Sequence, residues 1–326
     1  MENPLVRGRT VGPALAIALL ALWAGPASAV PVMAPAFSGV YSIESLGSVP
    51  GLPAAYGGLT FIGKDTLLIG GQANEPEGRL YTIDVTRDGD GHIVGFAGTA
   101  TEFGSVGEFN DGGVVFGPGG VLFTARWPSN ELGQTLPGDT DESRIIDLGA
   151  FGIAPSPGGL MFVPAGLPGA GQLKLVSWEG GQWYTVALAA VPDGTYDIVS
   201  ATLETILPGG PEGIAYVPPG SPLFVDPSVL ISEFSAGNVA VYAVDAFGNP
   251  ILATRQDFVI GLLGAEGALV DPLTGDFLFS TFGVEAGDEV LRVKGFVPPP
   301  PVPEPGSLAL LGLGLAGVGL ARRRRG

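Results

Sequence analysis

The chain has 326 residues, a formal net charge of -17 and no cysteine. The absence of cysteine excludes disulfide scaffolds, thiol nucleophiles and cysteine-ligated metal centres. The negative charge argues against nucleic acid as a partner of the folded part, because phosphate binding needs clustered lysine and arginine, and it makes divalent cations the more natural partners.

The first 29 residues have the pattern of a secretory signal peptide. Arg7 and Arg9 form a basic start, residues 11–24 form an apolar run, and Ala27 and Ala29 flank Ser28 as a small-residue cleavage site. We therefore expect signal peptidase to release a mature chain that begins at Val30. An uncleaved membrane anchor fits less well, because an apolar run of 14 residues is short for a bilayer.

Residues 30–297 contain a repeated motif, in which a variable residue is followed by glycine and then by alternating apolar positions. The variable residues are Tyr56, Asp111, Pro157, Glu212 and Glu266. About fifty residues and about four strands per repeat predict an all-β fold, a β-propeller. Five blades are favoured, and a sixth, irregular blade near residues 125–155 is the alternative. The last repeat lacks a fourth strand, which residues 37–46 would supply to close the ring.

Three of the five variable residues are acidic: Asp111, Glu212 and Glu266. Because the first strand of each blade lines the central channel, their carboxylates would converge at one mouth, where oxygen ligands suit Ca²⁺. This pattern resembles the calcium-binding lactonase and gluconolactonase type of propeller, in which an acidic residue before such a glycine is a ligand. Tyr56 and Pro157 depart from that pattern, and ordinary turn residues are the alternative interpretation.

Two tryptophans flank a short glycine-containing turn. A two-residue turn at Gly180 and Gly181 would place Trp178 and Trp183 opposite each other, as a pair able to stack on a sugar ring. Packing between blades is the alternative role for such a pair. His92, the one histidine, is predicted to lie at the blade periphery, where a surface role fits better than a catalytic one.

The end of the chain is organised as a motif, an apolar segment and a basic stop. A proline linker at residues 298–301 precedes Val302, Pro303, Glu304 and Pro305, and residues 307–321 are apolar; four arginines then follow, Arg322, Arg323, Arg324 and Arg325. At about 1.5 Å per residue, a 15-residue helix is short for a hydrocarbon core of about 30 Å. The sequence therefore predicts a transient membrane segment, with its arginines on the cytoplasmic side.

Residues 302–326 resemble the PEP-CTERM sorting signal of Gram-negative bacteria. The resemblance implies that an exosortase, a membrane-embedded protease, recognises the Pro-Glu-Pro motif. It also implies delivery to the cell surface or to an extracellular polysaccharide matrix. The resemblance concerns sorting and leaves the activity of the body open.

Two functions from different classes remain. The favoured hypothesis is an exported propeller with a non-catalytic binding or structural role, whose partners include extracellular polysaccharide. The alternative is a calcium-dependent hydrolase that acts at the channel. The sequence contains no nucleophile elbow, phosphate-binding loop or zinc-binding helix motif, so catalysis without a metal has little support.

Overall fold

The computed structural model describes residues 30–284 and 287–299. Two strands precede the first repeat, β1 (Val32–Met33) and β2 (Ser42–Gly47). All other strands form five antiparallel sheets, whose first strands contact one another around a central channel. The body is a five-bladed β-propeller, as the repeats predict.

Each blade places its strands in chain order from the channel outward. Blade 1 contains β3 (Leu59–Phe61), β4 (Thr66–Gly71), β5 (Arg79–Arg87) and β6 (Ile93–Glu102). Blade 2 contains β7 (Asn110–Phe116), β8 (Leu122–Arg126), β9 (Glu131–Thr135) and β10 (Arg144–Asp147). Blade 3 contains β11 (Pro157–Phe162), β12 (Leu173–Ser177), β13 (Gln182–Ala190) and β14 (Tyr196–Ile206). Blade 4 contains β15 (Pro211–Tyr216), β16 (Ser228–Glu233), β17 (Asn238–Ala243) and β18 (Gln256–Ile260). Blade 5 contains β19 (Ala265–Val270), β20 (Phe277–Thr281) and β21 (Val290–Lys294).

The ring is closed by the N-terminal segment. Strand β2 pairs with β21 and becomes the fourth strand of blade 5, with Ile43 opposite Val293. This pairing confirms the closure predicted for residues 37–46. Strand β1 pairs with β18 and adds a fifth strand to blade 4. One N-terminal segment therefore joins the last two blades.

The region considered for a sixth blade supplies β9 and β10, the outer strands of blade 2. Within the described residues, helical structure is limited to four 3-10 turns, at Pro118–Gly120, Gly149–Phe151, Phe234–Ala236 and Leu252–Thr254. No helix in this part of the chain is long and apolar enough to cross a membrane. The predicted signal peptide and sorting helix lie outside the described residues.

The hydrophobic core lies between neighbouring blades. Phe123 of blade 2 and Leu175 of blade 3 belong to one buried cluster, and Ile69 of blade 1 and Leu278 of blade 5 belong to another. Middle strands such as β16 are buried on both faces, and the centre of β16 is a run of three apolar residues, Val229 to Ile231. Outer strands such as β14 are mostly exposed or half-buried and carry mixed residues.

A ring of glycines lies where the first strands of neighbouring blades meet. It consists of one glycine from each blade: Gly58, Gly113, Gly159, Gly213 and Gly267. A Cβ atom on each of them would lie within 3 Å of the backbone of the next blade, from 1.8 Å at Gly159 to 2.8 Å at Gly113. The repeated glycine is therefore required for five first strands to meet around one axis. We call this ring the waist; the loops after each second strand define the upper face, and those after each first strand define the lower face.

Candidate functional site

Three buried carboxyl groups meet above the waist, at the upper mouth of the channel. Asp111, Glu212 and Glu266 are 3%, 5% and 2% exposed. Each offers an oxygen within 4.8 Å of those of the other two. Oxygens that bind one Ca²⁺ at 2.3–2.6 Å lie no more than about 5 Å apart, so the spacing fits one shared cation. The structure thus brings together the three acidic residues that the repeats predicted.

Glycines of neighbouring blades leave room for the carboxylate of Glu212. A Cβ atom on Gly158 would lie 2.0 Å from Glu212 Oε2, and one on Gly112 would lie 3.0 Å from the same oxygen. Any other residue at Gly158 would therefore displace this carboxylate. The sequence of blades 2 and 3 provides the space into which an acidic side chain of blade 4 extends.

The three acidic residues do not occupy equivalent positions, although the sequence motif aligned them. Glu212 and Glu266 directly precede the waist glycines of their blades, whereas Asp111 lies two residues before Gly113. The first strand of blade 2 has an irregularity that spans Asn110 to Val114, one residue longer than the irregularities of blades 4 and 5. This extra residue brings the shorter aspartate into the cluster from a different backbone position.

Burial raises the pKa of all three groups. The pKa of Asp111 rises to about 6, chiefly because the carboxyl is removed from water. Burial likewise raises the pKa of Glu212 well above its usual value, with a further contribution from the charge of Asp111. The pKa of Glu266 is raised by burial and then by its two acidic neighbours. Without a cation, the cluster therefore retains protons that exposed carboxyls would lose.

Several buried polar atoms at this mouth have no hydrogen-bond partner. They include three acceptors, Glu212 Oε2, Glu266 Oε1 and the side-chain oxygen of Asn74, and one donor, the indole Nε1 of Trp178. Buried polar atoms are normally satisfied, and each unsatisfied atom costs free energy. The acceptors, together with Asp111, form the oxygen-rich set that a hard divalent cation prefers. The arrangement fits Ca²⁺ better than a softer transition metal, because it includes neither sulfur nor imidazole.

An aromatic collar surrounds the carboxyl groups. It consists of Trp127, Trp178, Phe234 and Phe282, which line the same cavity of about 120 Å³ as the three acids. Each of the four directly follows the second strand of its blade. Three of the rings lie edge to face in sequence, with centroids 6.2 Å apart for Trp178 and Phe234 and 6.0 Å apart for Phe234 and Phe282. The collar was not predicted, although an aromatic residue after the second strand in four of five repeats is visible in the sequence.

The predicted pairing of Trp178 with Trp183 is wrong. Trp183 lies opposite Val176, because the turn is centred one residue earlier than assumed and Gly181 takes a left-handed backbone with φ of 70°. Trp183 is fully buried in the core, and its indole Nε1 donates to Asn249 Oδ1 at 3.2 Å. It offers no surface to a sugar. Of these two tryptophans, only Trp178 lines the channel mouth.

His92 lies away from the channel mouth, immediately before β6, and is partly exposed. Its Nδ1 is 2.7 Å from the carboxylate of Asp276 in blade 5, so it joins two blades. The neighbouring Asp88 accepts backbone hydrogen bonds from Asp90 and His92, as turn residues do. His92 and Asp88 therefore have structural roles, in joining two blades and in forming a turn, and neither is part of the candidate site.

Comparison with known families identifies the motif at the C-terminal end of the chain. The model of the PEP-CTERM protein-sorting motif matches residues 301–325. The chain carries a PEP-CTERM sorting signal. This signal implies processing by an exosortase, export, and association with the cell surface in Gram-negative bacteria. The matched residues, which include Val302, Glu304 and the four arginines, lie outside those that the structure describes.

No curated protein matches the chain. Among solved structures, virginiamycin B lyase from Staphylococcus aureus is 13% identical, with a TM-score of 0.41, covering 78% of this chain and 99% of that one. The PQQ-bound aldose sugar dehydrogenase from Streptomyces coelicolor is 15% identical, with a TM-score of 0.37, covering 76% and 83%. An auxiliary nutrient binding protein from Bacteroides thetaiotaomicron is 12% identical, with a TM-score of 0.41, covering 77% and 76%. We infer no activity from these similarities.

Proposed function

We propose that this PEP-CTERM propeller is a non-catalytic binding protein of the cell surface or extracellular matrix, which holds a divalent cation at the upper mouth of its channel. The observation that carries the binding role is the convergence of three buried carboxyl groups, two of which have an oxygen without a hydrogen-bond partner. Ca²⁺ is the expected cation because the donors are hard oxygens. A calcium titration of the chain and of the Glu212→Gln variant tests this role directly.

The sorting part of the proposal assigns a step to each end of the chain. Signal peptidase cleaves after Ala29, the segment at residues 307–321 enters the inner membrane transiently, and the exosortase acts near Pro303, Glu304 and Pro305. Residues 322–325 hold the end of the chain on the cytoplasmic side.

Deletion of residues 302–326 is expected to change where the protein accumulates. Without the motif and the apolar segment, the body has no signal for exosortase and is released into the periplasm or medium. Fractionation and immunoblotting of cells that express the full chain or the truncated chain measure this. A matched variant that replaces only Glu304 with Gln separates recognition of the motif from membrane insertion. An unchanged distribution for the truncated chain would contradict the sorting role.

The aromatic collar makes a sugar ring the most suitable organic ligand at the mouth. Aromatic faces pack against the apolar faces of sugar rings, and the four rings of the collar line the cavity at this mouth. A hydroxyl of the sugar ring can also reach a bound cation. Extracellular polysaccharide, present where the sorting signal directs the chain, is therefore the proposed partner.

Replacement of Trp178 with Ala is expected to weaken polysaccharide binding by about tenfold, the usual cost of removing an important aromatic contact. The measurement is co-sedimentation with extracellular polysaccharide from the producing strain. Phe247→Ala is the matched control, because Phe247 is an exposed aromatic residue on the opposite face. Equal binding by the Trp178 variant and the wild type would exclude the collar as the sugar site.

A calcium-dependent hydrolase is the second candidate. It is favoured by the position of the three carboxyl groups, which line a cavity at the channel mouth where a substrate could meet a bound cation. Hydrolysis of a lactone or ester that requires calcium and is lost in Glu212→Gln would establish it. Calcium binding without such hydrolysis supports the non-catalytic role.

A further inference from the structure

We propose that the lower face of the propeller rests on the membrane while the C-terminal segment is inserted. This inference depends on the transient insertion that the proposed function assigns to residues 307–321. It adds an orientation of the folded body, with the lower face toward the lipid and the carboxyl groups of the upper mouth away from it.

Exposed apolar side chains are concentrated on the lower face. Val225 is 95% exposed, Phe247 63% and Leu223 55%, all in loops of blade 4. Leu273 of blade 5 and Ile62 of blade 1 are 45% and 40% exposed in equivalent loops. Exposed large apolar residues are fewer on the upper face, where they are Leu263 in a loop, Ile206 at the end of β14, and Val30 and Val32 at the N-terminal segment. An asymmetry of this kind marks an interaction surface.

The centre of the lower face is also apolar. A chamber of about 240 Å³ opens there below the waist, and its walls include Leu59, Met161, Tyr216 and Leu269. The two ends of one channel therefore differ in chemistry, with carboxyl groups above the waist and apolar side chains below it. Apolar surface that faces water is stabilised when it moves into an apolar or interfacial environment.

The chain leaves the body at this same place. Pro299, the last described residue, lies on the wall of the chamber. Only seven residues separate it from Ser307, where the apolar segment begins. Even a fully extended polyproline tether, at about 3.1 Å per residue, keeps the lower face within about 25 Å of the membrane segment. The tether permits contact without forcing it, so contact depends on the apolar loops.

The charges of the lower face limit the kind of lipid. Asp65, Asp88 and Asp226 are exposed in its loops, and Lys64 is an exposed base nearby. A mostly negative rim is repelled by anionic lipid. We therefore expect the face to rest on zwitterionic lipid, through its apolar side chains, and to be weakened by anionic lipid at low salt.

The absence of cysteine allows a site-specific test on the full chain. Val225→Cys and Leu263→Cys each receive one environment-sensitive fluorophore, on the lower and upper face respectively. Each protein is reconstituted into phosphatidylcholine vesicles with or without brominated lipid, and flotation reports insertion of the tail. Interfacial groups lie about 5–10 Å into the headgroup and acyl boundary, so we expect brominated lipid to quench the label at 225 by about half and to leave the label at 263 unchanged.

The outcomes separate the two proposals. Flotation with selective quenching at 225 supports the orientation, and a Leu223→Ser change in the Val225→Cys chain should then reduce the quenching. Flotation with equal signals at both positions overturns the orientation but leaves tail insertion intact. If the full chain floats no better than a chain ending at residue 301, tail insertion fails and the orientation is overturned with it. Stronger quenching in vesicles that contain phosphatidylglycerol would contradict the choice of zwitterionic lipid.

Discussion

Replacement of Gly159 with Ala is expected to prevent folding of the propeller. Gly159 lies at the waist, where an added Cβ atom would lie 1.8 Å from the backbone oxygen of Glu212. That oxygen belongs to the first strand of blade 4 and cannot move without separating blades 3 and 4. Overpacking at a site that cannot relax is one of the mechanisms behind losses above about 4 kcal/mol. We therefore expect the free energy of unfolding to fall by at least about 4 kcal/mol.

The measurement is chemical unfolding followed by circular dichroism, with Gly63→Ala as the matched control. Gly63 lies in the exposed loop between β3 and β4, and a Cβ atom added there would meet no other atom within 4 Å. The control should change stability by no more than about 0.5 kcal/mol. A Gly159→Ala protein as stable as the control would show that the waist is wider than described.

The second large effect is a dependence of stability on pH in the calcium-free protein. The pKa of Asp111 is raised to about 6, and those of Glu212 and Glu266 are raised well above their usual values. A raised pKa in the folded state contributes stability that is fully present below the unfolded-state pKa, near 4, and is lost as the pH rises through the folded-state pKa. We therefore expect the cluster to destabilise the calcium-free fold progressively from about pH 4 to above pH 6, by about 1.4 kcal/mol for each unit of raised pKa.

A double variant isolates this effect from the other carboxyl groups of an acidic protein. Glu212→Gln with Glu266→Gln keeps the side-chain shapes and removes two titrating groups. In chelator, the difference in melting temperature between the variant and the wild type should grow in favour of the variant from pH 5 to pH 8. Parallel pH profiles for the two proteins would contradict the raised pKa values.

The repeated glycine explains why the fold could be predicted from the sequence. Glycines recur at this place because five strands must approach one axis, although in blades 1 to 3 the waist glycine is the residue after the one that the sequence motif aligned, as with Gly113 after Gly112. The closing strand could also be predicted, because the last repeat was incomplete and residues 37–46 were otherwise unassigned. Both predictions depend on steric rules that hold along the whole chain.

The site could be predicted only in part. The convergence of Asp111 with Glu266 follows from the position of first strands in a propeller, but the extra residue in blade 2 does not. The facing tryptophan pair failed because the register of a hairpin depends on which residue of a short turn takes the left-handed backbone. Here that residue is Gly181. The turn is displaced by one residue from the predicted position, and Trp183 lies in the core.

The collar was missed for a different reason. Phe234 and Phe282 look like ordinary core residues at the end of apolar strands, and only their equivalence across blades shows that they face the channel mouth. The sorting signal posed no such difficulty, because its motif and the order of its segments are read directly from the sequence.

Calcium titration by calorimetry, paired with thermal melting, tests the central claim most directly. The chain of residues 30–301 is compared with Glu212→Gln and with Glu179→Gln, an exposed glutamate that gives the same change in net charge. A hundredfold excess of calcium over its dissociation constant would stabilise the wild type by about 2.7 kcal/mol. We predict saturable binding of one calcium ion and a rise in melting temperature for the wild type and for Glu179→Gln, and neither for Glu212→Gln. Absence of binding by the wild type, or equal binding by Glu212→Gln, would contradict a cation site at the channel mouth.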